Sequence, residues 1–520
     1  MKNYLLSIVC LLLAASCQGP KIVLYDAPEQ EKKSNDFEMS VDGKPAFVYQ
    51  ARVSRLPVNQ IWPGYQRPLN QTEIASFAYF DVNGKSEIMI NSEQEIKTLD
   101  IRPKEYGIEP IVEGKTIKFT LNNPCQFVVE VNGSHHALHI FANPIEKVKI
   151  DKADPKVHYY GPGVHEAGVI KLSSNETVYI DGGAIVYGVI ASENTRNIKI
   201  MGRGILDASK IERGGAPNMI SLKNVRNAFI SGIILRDPHE WTVVPSNCDS
   251  ITIDNIKLIG LWRYNSDGID LVNSKNITIR NSFVRSFDDN IVIKGLKQAY
   301  NEQNSTIENI KVDNCVLWND WGRALELGAE IVTDTMKNIT FSNCFIPHFT
   351  TVALDIQNCD KGYVKNVRFE NISIEDPLQD SIRVGKTPIV KKAWGKIIVL
   401  GIYGTFYSSD TLRGHISNIY YNNIRYNRTY PEKIDLFNFD SVTIEKNVNF
   451  KNYDIFIRDN MYFGNIRVNC TSSNNIYMSG YNSNHMIENI FIKDYFMQGK
   501  KITDRQLIGE NEFVRNVFIE

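Results

Sequence analysis

Three aspartates in two short motifs are the residues of this sequence whose types and spacing suggest chemistry. Asp267 lies in Asn-Ser-Asp-Gly-Ile-Asp, and the adjacent pair Asp288 and Asp289 follows roughly 20 residues later, the length of one repeat in many coiled proteins. Neighbouring carboxyl groups can act as acid and base together, because burial and repulsion raise the pKa of one while another stays ionised. The spacing predicts that stacked coils bring the three side chains together for acid–base catalysis.

A recurring unit of Asn or Ser, an apolar residue, a polar residue and a second apolar residue predicts the elements that hold these aspartates. The unit occurs at 197–200, 227–230, 250–253, 276–279, 309–312, 338–341 and 366–369, with shorter echoes at 418–419, 465–466 and 489–490. A period of roughly 22 to 33 residues indicates a solenoid of short strands. Neither the Leu spacing of a horseshoe nor the longer repeat of a propeller is present. We therefore expect a right-handed parallel β-helix, with Asn side chains in left-handed turns or stacked ladders.

The chain before the repeats has a different pattern. Residues 36–150 contain short alternating runs separated by turns such as Val-Asp-Gly and Val-Asn-Gly, which is typical of a small β-sandwich. The boundary lies near 150–160, so residues 151–520 form the predicted β-helix domain. We expect the sandwich to cap the first coil, because a solenoid needs covered ends; carbohydrate binding is the alternative role.

The N-terminus has the features of an export signal. A lysine precedes an apolar run from Leu5 to Ala15, which is too short to span a membrane, and Cys17 follows small residues. This arrangement resembles the acylated cysteine of a bacterial lipoprotein; an ordinary signal peptide is the alternative. We expect residues 1–17 to be a lipoprotein-type signal peptide with lipidation at Cys17 and residues 18–35 to be a tether. The protein would then be exported and lipid-anchored in a bacterial envelope, periplasmic or at the cell surface.

Composition excludes several classes of function. The formal net charge is −1 over 520 residues, so no basic surface favours nucleic acid, and 43% hydrophobic residues can fill a sizeable core. The cysteines form no Cys-x-x-Cys pair, so a zinc site is not expected. Cys315 and Cys344 fall at matching repeat positions, where they would be stacked core thiols or an oxidised pair. We expect no cofactor and no metal.

The two aspartate motifs resemble those of the polygalacturonase-like glycoside hydrolases. Asn265 to Asp270 is similar to their Asn-Thr-Asp-Gly-x-Asp motif, and Asp288-Asp289 before Ile-Val-Ile-Lys-Gly is similar to their paired-Asp motif. The families are glycoside hydrolase family 28 and the related family 49, which contains dextranase and isopullulanase and carries an extra domain before its β-helix. The resemblance implies hydrolysis with inversion: Asp288 would be the general acid, and Asp267 and Asp289 would hold and deprotonate water.

The departures from the family pattern concern the substrate. Arg323 stands where polygalacturonases have the His of Gly-His-Gly, and Ala353 to Ile356 replaces the Arg-Ile-Lys that grips a galacturonate carboxylate. Asp355 within that stretch would repel an anionic sugar. A neutral glycan is therefore favoured, although a contact from Arg323 would leave pectic galacturonan as an alternative.

Other polar and aromatic side chains near the aspartates are candidates for substrate binding. Lys294 is expected to keep one neighbouring carboxylate ionised, Asp270 to order its turn, and the role of Glu326 stays open. The substrate-binding candidates are Asn265, Lys294, Arg323, His239, Trp241, Trp262, Tyr264 and Trp321, with Trp318 as a further aromatic near the carboxylates. We expect a monomeric hydrolase acting on an oligo- or polysaccharide, contacting a membrane only through its lipid. A β-helix polysaccharide lyase and a non-catalytic glycan-binding protein are the alternatives.

Overall fold

The structure is a computed structural model. It describes residues 21–55, 62–300, 305–378, 380–384, 387–389, 396–404, 408–428, 435–438, 462–463, 466–467 and 475–520. The expected signal peptide and Cys17 lie outside the described residues. Within those ranges, no helix combines the length and the apolar character needed to cross a membrane.

Two β-sheets packed face to face form the N-terminal part of the chain. The six-stranded sheet contains Ile22–Leu24, Tyr49–Ser54, Thr72–Val82, Leu99–Arg102, Gln126–Val131 and Ala137–Pro144, and the five-stranded sheet contains Phe37–Val41, Lys44–Ala46, Ser86–Ser92, Ile111–Glu113 and Thr116–Leu121. Apolar side chains from both sheets, such as Phe80 and Ile90, are fully buried between them. The strand Ile22–Leu24 corrects the expected tether at 18–35, because it pairs with the edge of the sandwich and is not a free linker.

The rest of the chain winds into coils whose strands stack in parallel, so the predicted all-β fold class with a parallel β-helix is confirmed. Three sheets run along it, and we name them the Asn sheet, the seam sheet and the site sheet. The Asn sheet contains Val157–Tyr160, Thr177–Ile180, Arg196–Gly202, Arg226–Ser231, Asp249–Asp254, Lys275–Arg280, Thr306–Asp313, Thr335–Ser342, Tyr363–Pro377, His415–Tyr426, Ile487–Met497 and Val514–Ile519.

The other two sheets complete each coil. The seam sheet contains Ile205–Asp207, Ile234–Arg236, Lys257–Ile259, Phe283–Ser286, Val316–Asn319 and Phe345–Phe349. The site sheet contains Gly163–Lys171, Ala184–Glu193, Ile220–Lys223, Val243–Ser246, Ile269–Val272, Ile291–Gly295, Arg323–Ile331, Val352–Asn358, Lys396–Ile402, Ile476–Ser479 and Ile508–Glu510. Strand register stacks Ile277 on Ile310 and Ile310 on Ile339, which builds one continuous apolar core along the helix.

Asparagine side chains stack along the turns of the Asn sheet, as the repeats predict. Asn309 donates a side-chain hydrogen bond to Asn276 at 2.9 Å, and Asn314 donates to Asn281 at 2.8 Å. Each of these residues has a positive φ, a conformation that Asn tolerates better than most residues. The repeated Asn therefore turns the chain and ties each coil to the next.

The sandwich lies along the side of the β-helix. Its apolar contacts with the helix come from Tyr49, Ala51, Phe77, Tyr79, Val128, Ala137 and Phe141 on the sandwich and from Ile185, Ile205, Ile234, Ile259, Phe283, Val316 and Trp318 on the coils. Buried ion pairs join the two parts, among them Arg203–Asp81 at 2.9 Å and Arg102–Asp376 at 2.7 Å. The expectation that the sandwich caps the first coil is corrected, because its second apolar face matches the seam sheet over many coils.

Shorter elements complete the described chain. They are the strands Asp380–Val384, Thr387–Ile389, Asp435–Asn438, Tyr462–Phe463, Ile466–Arg467 and Lys500–Lys501 and the 3₁₀ turns Pro63–Tyr65, Leu69–Gln71, Lys104–Tyr106, Lys297–Ala299 and Arg505–Leu507. The first three of these strands pair in a small sheet separate from the β-helix. Cys315 and Cys344 are buried free thiols in consecutive coils, which corresponds to the first of the two predicted alternatives.

Candidate active site

The three candidate catalytic aspartates lie on the turns that lead from the seam sheet into successive strands of the site sheet. The backbone N–H of Gly268 donates to the carbonyl of Asp289 at 2.8 Å, which joins the two motifs directly. The Asp289 carboxylate accepts a hydrogen bond from the backbone N–H of Arg323 in the next coil at 3.0 Å. Stacking of three consecutive coils therefore places the two acidic turns side by side, as the spacing predicts.

Gly322 allows this close approach. A Cβ atom at Gly322 would lie 2.6 Å from the backbone nitrogen of Asp289 and 2.6 Å from its Oδ1 atom. No side chain fits at that distance, so the position requires glycine for steric reasons. Asp288 is 9% exposed, more than Asp267 or Asp289, and is the member of the trio nearest to solvent.

Lys294 lies at the centre of the carboxylates. Its Nζ atom is 3.6 Å from Asp289 Oδ2 and 3.8 Å from an oxygen of Asp267. It is also 3.8 Å from Asp270 and 3.9 Å from Glu330. Burial alone would lower the pKa of Lys294, but Glu330, Asp289, Asp267 and Asp270 together raise it well above its usual value. The amine is therefore a permanent cation, consistent with the predicted stabilisation of a neighbouring carboxylate.

Burial and mutual repulsion raise the pKa of two of the three aspartates. Burial raises the pKa of Asp288 to about 7, repulsion from Asp289 adds to the rise, and Arg323 opposes it. Burial also raises the pKa of Asp267 well above its usual value, with further contributions from Asp270 and Asp288. Asp289 instead faces two cations, since Arg323 Nη1 lies 4.0 Å from its Oδ1 in addition to the Lys294 contact. Two carboxyl groups with raised pKa values thus lie beside a third that contacts two cations.

Asp270 belongs to this cluster, which corrects its expected role in the turn. It lies within the strand Ile269–Val272, between the core residues Ile269 and Leu271, and its carboxyl group is fully buried on the outer face. Burial raises its pKa to about 8, Lys294 opposes the rise and Asp289 adds to it. The side chain therefore contributes to the electrostatics of the site and does not cap the turn.

A second acidic group continues along the site sheet from the trio. In the next two coils, Glu326 pairs in register with Asp355, and Arg323 Nε lies 3.4 Å from Asp355 Oδ2 and 4.0 Å from Glu326 Oε1. Gln357 donates to Glu326 at 2.6 Å and in turn accepts a hydrogen bond from Tyr403. Burial raises the pKa of Asp355 to about 7 and that of Glu326 well above its usual value. This places Glu326, which the sequence left open, beside the catalytic candidates.

The sequence carries a signal for this second group. Asp270, Glu326 and Asp355 each stand between two core residues in a strand of the site sheet. Alternation places such residues on the outer face, and strands one coil apart stack in register. Comparing equivalent positions of the repeats would therefore have placed all three in one row, in which Val292 separates Asp270 from Glu326.

Four of the other candidates surround the cluster. The Trp241 ring centroid is 5.0 Å from Lys294 Nζ, and the half-buried Trp321 directly precedes Gly322. Asn265 and Tyr264 lie just before Asp267, where the Asn265 side chain accepts a hydrogen bond from Arg213 at 3.2 Å. Arg213 was not identified from the sequence, because it lies two coils away from the motif and no local pattern links the two.

Three candidates have other surroundings. Trp262 is buried, donates to Asp237 at 2.9 Å and packs against Arg52 of the sandwich. Trp318 is fully buried in the contact between sandwich and seam sheet. His239 is also buried, with its Nε2 atom 3.0 Å from the carbonyl of Pro217. Trp262 and Trp318 thus contact the sandwich, and the assignment of Trp262 and His239 to substrate binding stays a prediction.

The fold and the buried carboxyl cluster define a parallel β-helix protein with a candidate acid–base site, and comparison with known proteins gives matches of the same fold. Residues 189–387 match the family model for glycosyl hydrolases family 28, a range that contains the whole cluster. A dextranase from Arthrobacter sp. (strain CB-8) is 22% identical over 304 residues, which is 49% of this chain and 45% of the dextranase. An endo-polygalacturonase from Pectobacterium carotovorum subsp. carotovorum is 30% identical over 167 residues, which is 31% of this chain and 38% of that enzyme.

A solved structure shares the fold over almost the entire chain. Dex49A from Penicillium minioluteum superposes with a TM-score of 0.58 at 14% sequence identity, covering 94% of this chain and 95% of that one. The chain spans about half the length of the curated relatives it matches. The predicted resemblance to polygalacturonase-like glycoside hydrolases of families 28 and 49 is confirmed.

Proposed function

We propose that the protein hydrolyses glycosidic bonds of a polysaccharide or oligosaccharide with inversion of configuration. Asp288 is the general acid: its raised pKa of about 7 keeps the proton available at mildly acidic pH, and it is the most exposed of the three aspartates. It protonates the glycosidic oxygen of the leaving sugar. The observation that carries the proposal is that Asp267 and Asp289 meet around one buried lysine, with the charge of Asp288 close enough to raise the pKa of Asp267.

Asp289 and Asp267 have different roles in the attack of water on the sugar. Asp289 faces Lys294 and Arg323 and accepts a hydrogen bond from the Arg323 backbone N–H, so its carboxyl group lies beside two cations. Asp289 is therefore the base that removes a proton from the attacking water. Asp267, whose pKa is raised well above its usual value, orients that water by hydrogen bonding. Lys294 is protonated, which disfavours the lyase alternative with this lysine as base.

A neutral glycan suits the charges of the site. Arg323 is within 4.0 Å of Asp289, Glu326 and Asp355. Because three carboxyl groups of the protein already surround its positive charge, Arg323 does not attract a further carboxylate from the substrate. Glu326 Oε2 and Asp355 Oδ1 are buried acceptors that lack a hydrogen-bond donor among the described residues. When these carboxyl groups are ionised, they would repel a uronate carboxylate and not a neutral sugar.

The proposal includes export and a lipid anchor. It is supported by the apolar run Leu5–Ala15 and by Cys17 after small residues, at the start of the sequence. Metabolic labelling with a fatty-acid probe in a bacterial host tests it: wild type should be labelled and Cys17→Ala should not. Equal labelling of both proteins would contradict the anchor and leave the hydrolase assignment unaffected.

The decisive experiment measures new reducing ends and anomeric configuration. We would incubate the mature protein with dextran, other neutral glucans and polygalacturonate, and follow the first products by proton NMR. A neutral glycan should be cleaved with the inverted anomer released first. Cleavage of polygalacturonate alone would contradict the neutral preference, and a retained anomer would contradict the single-displacement mechanism.

A further inference from the structure

A segment of the sandwich lies directly against both catalytic turns. Trp62 is buried, and its ring centroid is 6.2 Å from that of Tyr264 and 6.2 Å from that of Phe287. Tyr264 lies just before Asp267 in the sequence, and Phe287 immediately precedes Asp288. Arg67 packs over Phe287 at 4.4 Å. The sandwich therefore forms part of the wall around the acidic cluster.

Tyr65 differs from the other aromatic residues at this contact because it faces solvent. It is 47% exposed, although its centroid lies 5.3 Å from that of Tyr264 with the ring planes tilted by 35°. Its φ of 58° is a left-handed conformation that bulky residues rarely adopt. Contacts on one side of the ring hold the residue there while the rest of the ring remains accessible.

Arg213 supports the two tyrosines from the coils. Its guanidinium carbon is 5.0 Å from the Tyr65 centroid and 5.4 Å from the Tyr264 centroid. One of its nitrogens donates to the Tyr264 carbonyl at 2.7 Å and another lies 3.6 Å from Glu240. These contacts hold the arginine in place, so the tyrosine pair is an aromatic surface edged by polar groups. Such a combination suits a sugar ring, which has apolar faces and a rim of hydroxyl groups.

The tyrosine pair is continuous with the candidate acid. Tyr264 lies just before Asp267 in the sequence, and Trp62 packs against both Tyr264 and Phe287, which immediately precedes Asp288. Burial raises the pKa of Tyr264, and the charge of Asp288 raises it further, in agreement with this placement. A sugar chain lying across the acidic cluster would therefore continue over Tyr264 and Tyr65.

We propose that Tyr65 of the sandwich and Tyr264 of the β-helix, supported by Arg213, form a pyranose-binding subsite for a neutral polysaccharide on the Asp267 side of the cluster. The inference rests on the proposed function for its substrate class and goes beyond it by giving the sandwich a direct part in substrate binding. Oligosaccharides long enough to reach this surface bind through it, and a disaccharide occupying the acidic cluster alone does not.

The test measures binding with turnover removed. Calorimetry on full-length Asp288→Asn, with isomalto-oligosaccharides and oligogalacturonates of two to eight units as probes, is compared with Asp288→Asn carrying Tyr65→Ala or Tyr65→Phe. We expect Tyr65→Ala to weaken binding of the long neutral oligosaccharides by about 3- to 10-fold, the size of an aromatic stacking contribution. Tyr65→Phe should bind as the parent does, because the ring is kept. Phe518→Ala, at a similarly exposed ring on the Asn sheet, is the matched control.

Each result separates the subsite from the proposed hydrolysis. Equal affinity of the Tyr65→Ala and parent proteins for every oligosaccharide overturns the subsite, even if wild type hydrolyses the same sugars. Tyr65-dependent binding in a wild type that releases no reducing ends supports the subsite and overturns the hydrolase. Absence of binding to either set of oligosaccharides overturns the subsite.

Discussion

Asp270 faces Lys294 at 3.8 Å while neither of its carboxyl oxygens has an amide, guanidinium or alcohol donor among the described residues. A fully buried carboxyl in this position is stable chiefly in its protonated form, which is why its pKa is raised to about 8. Ionisation of Asp270 also changes the electrostatic environment of Asp267 and Asp289, because both lie around the same Lys294 amine.

Replacing Asp270 by Asn should change how stability depends on pH. An acid whose pKa rises on folding destabilises the native state as pH increases from its unfolded pKa, about 3.9, to its folded pKa, about 8. Asp270→Asn should therefore gain stability relative to wild type across that range, by up to about 1.4 kcal/mol per pH unit. Urea unfolding of both proteins at pH 4.5, 6 and 8 measures this, and a constant difference between them would refute it.

Lys294→Met should destabilise the protein strongly. It leaves Asp267, Asp270, Asp289 and Glu330 without the cation they share, and the loss of one partner from a buried ionic group costs about 3–5 kcal/mol. The loss should be smaller at acidic pH, where more of the carboxyls are protonated. The control is Lys311→Met on the exposed Asn sheet, which should stay within about 0.5 kcal/mol of wild type. Similar unfolding midpoints for the two variants would contradict the shared-cation role.

Asp288→Asn should reduce hydrolysis by about 10²- to 10⁴-fold, the contribution expected of a general acid. The wild-type rate should fall as pH rises through about 7, because Asp288 then loses the proton it must donate. Asp494→Asn, at a partly exposed residue with a left-handed backbone in the strand Ile487–Met497, is the control distant from the cluster and should keep full activity. A variant at Asp288 that remains active with folding intact would remove this residue from the mechanism.

Asn309→Ala should destabilise the β-helix by about 1–3 kcal/mol. It removes the hydrogen bond to Asn276 and places a less tolerant residue at a φ of 58°. Asn309→Gly loses the same hydrogen bond but accepts the left-handed backbone, so it should lose less. Denaturation of both variants gives the comparison; a larger loss for glycine would show that backbone conformation does not determine the role of this asparagine.

Much of the fold follows from local pattern. The Asn-apolar-polar-apolar units predict strands and left-handed turns at fixed intervals, and those determine the stacked coils without any distant information. The pairing of the Asp267 turn with the Asp288 turn follows from the same repeat, because the two motifs are about one coil apart. The roles assigned to the three aspartates remain predictions for the experiments above.

The missed features depend on contacts between distant parts of the chain. Trp262 and Trp318 look like sugar-binding aromatics in sequence, but the second apolar face of the sandwich covers the surface around them. Neither the alternating runs of the sandwich nor the repeats of the β-helix indicate which side of the β-helix the sandwich will contact. Tyr65 and Arg213 were missed for the same reason, since each reaches the catalytic turns from a different part of the chain.

The lateral placement of the sandwich has a consequence for biosynthesis. The buried pair between Arg102 and Glu375 joins residues 273 positions apart, so the ribosome completes the first partner long before the second. The sandwich is synthesised first, and its second apolar face stays exposed to incorrect contacts until several coils have been made. Contacts between residues so far apart in sequence also form slowly. Dependence on chaperones during folding is the expected consequence of joining parts of the chain that lie this far apart in sequence.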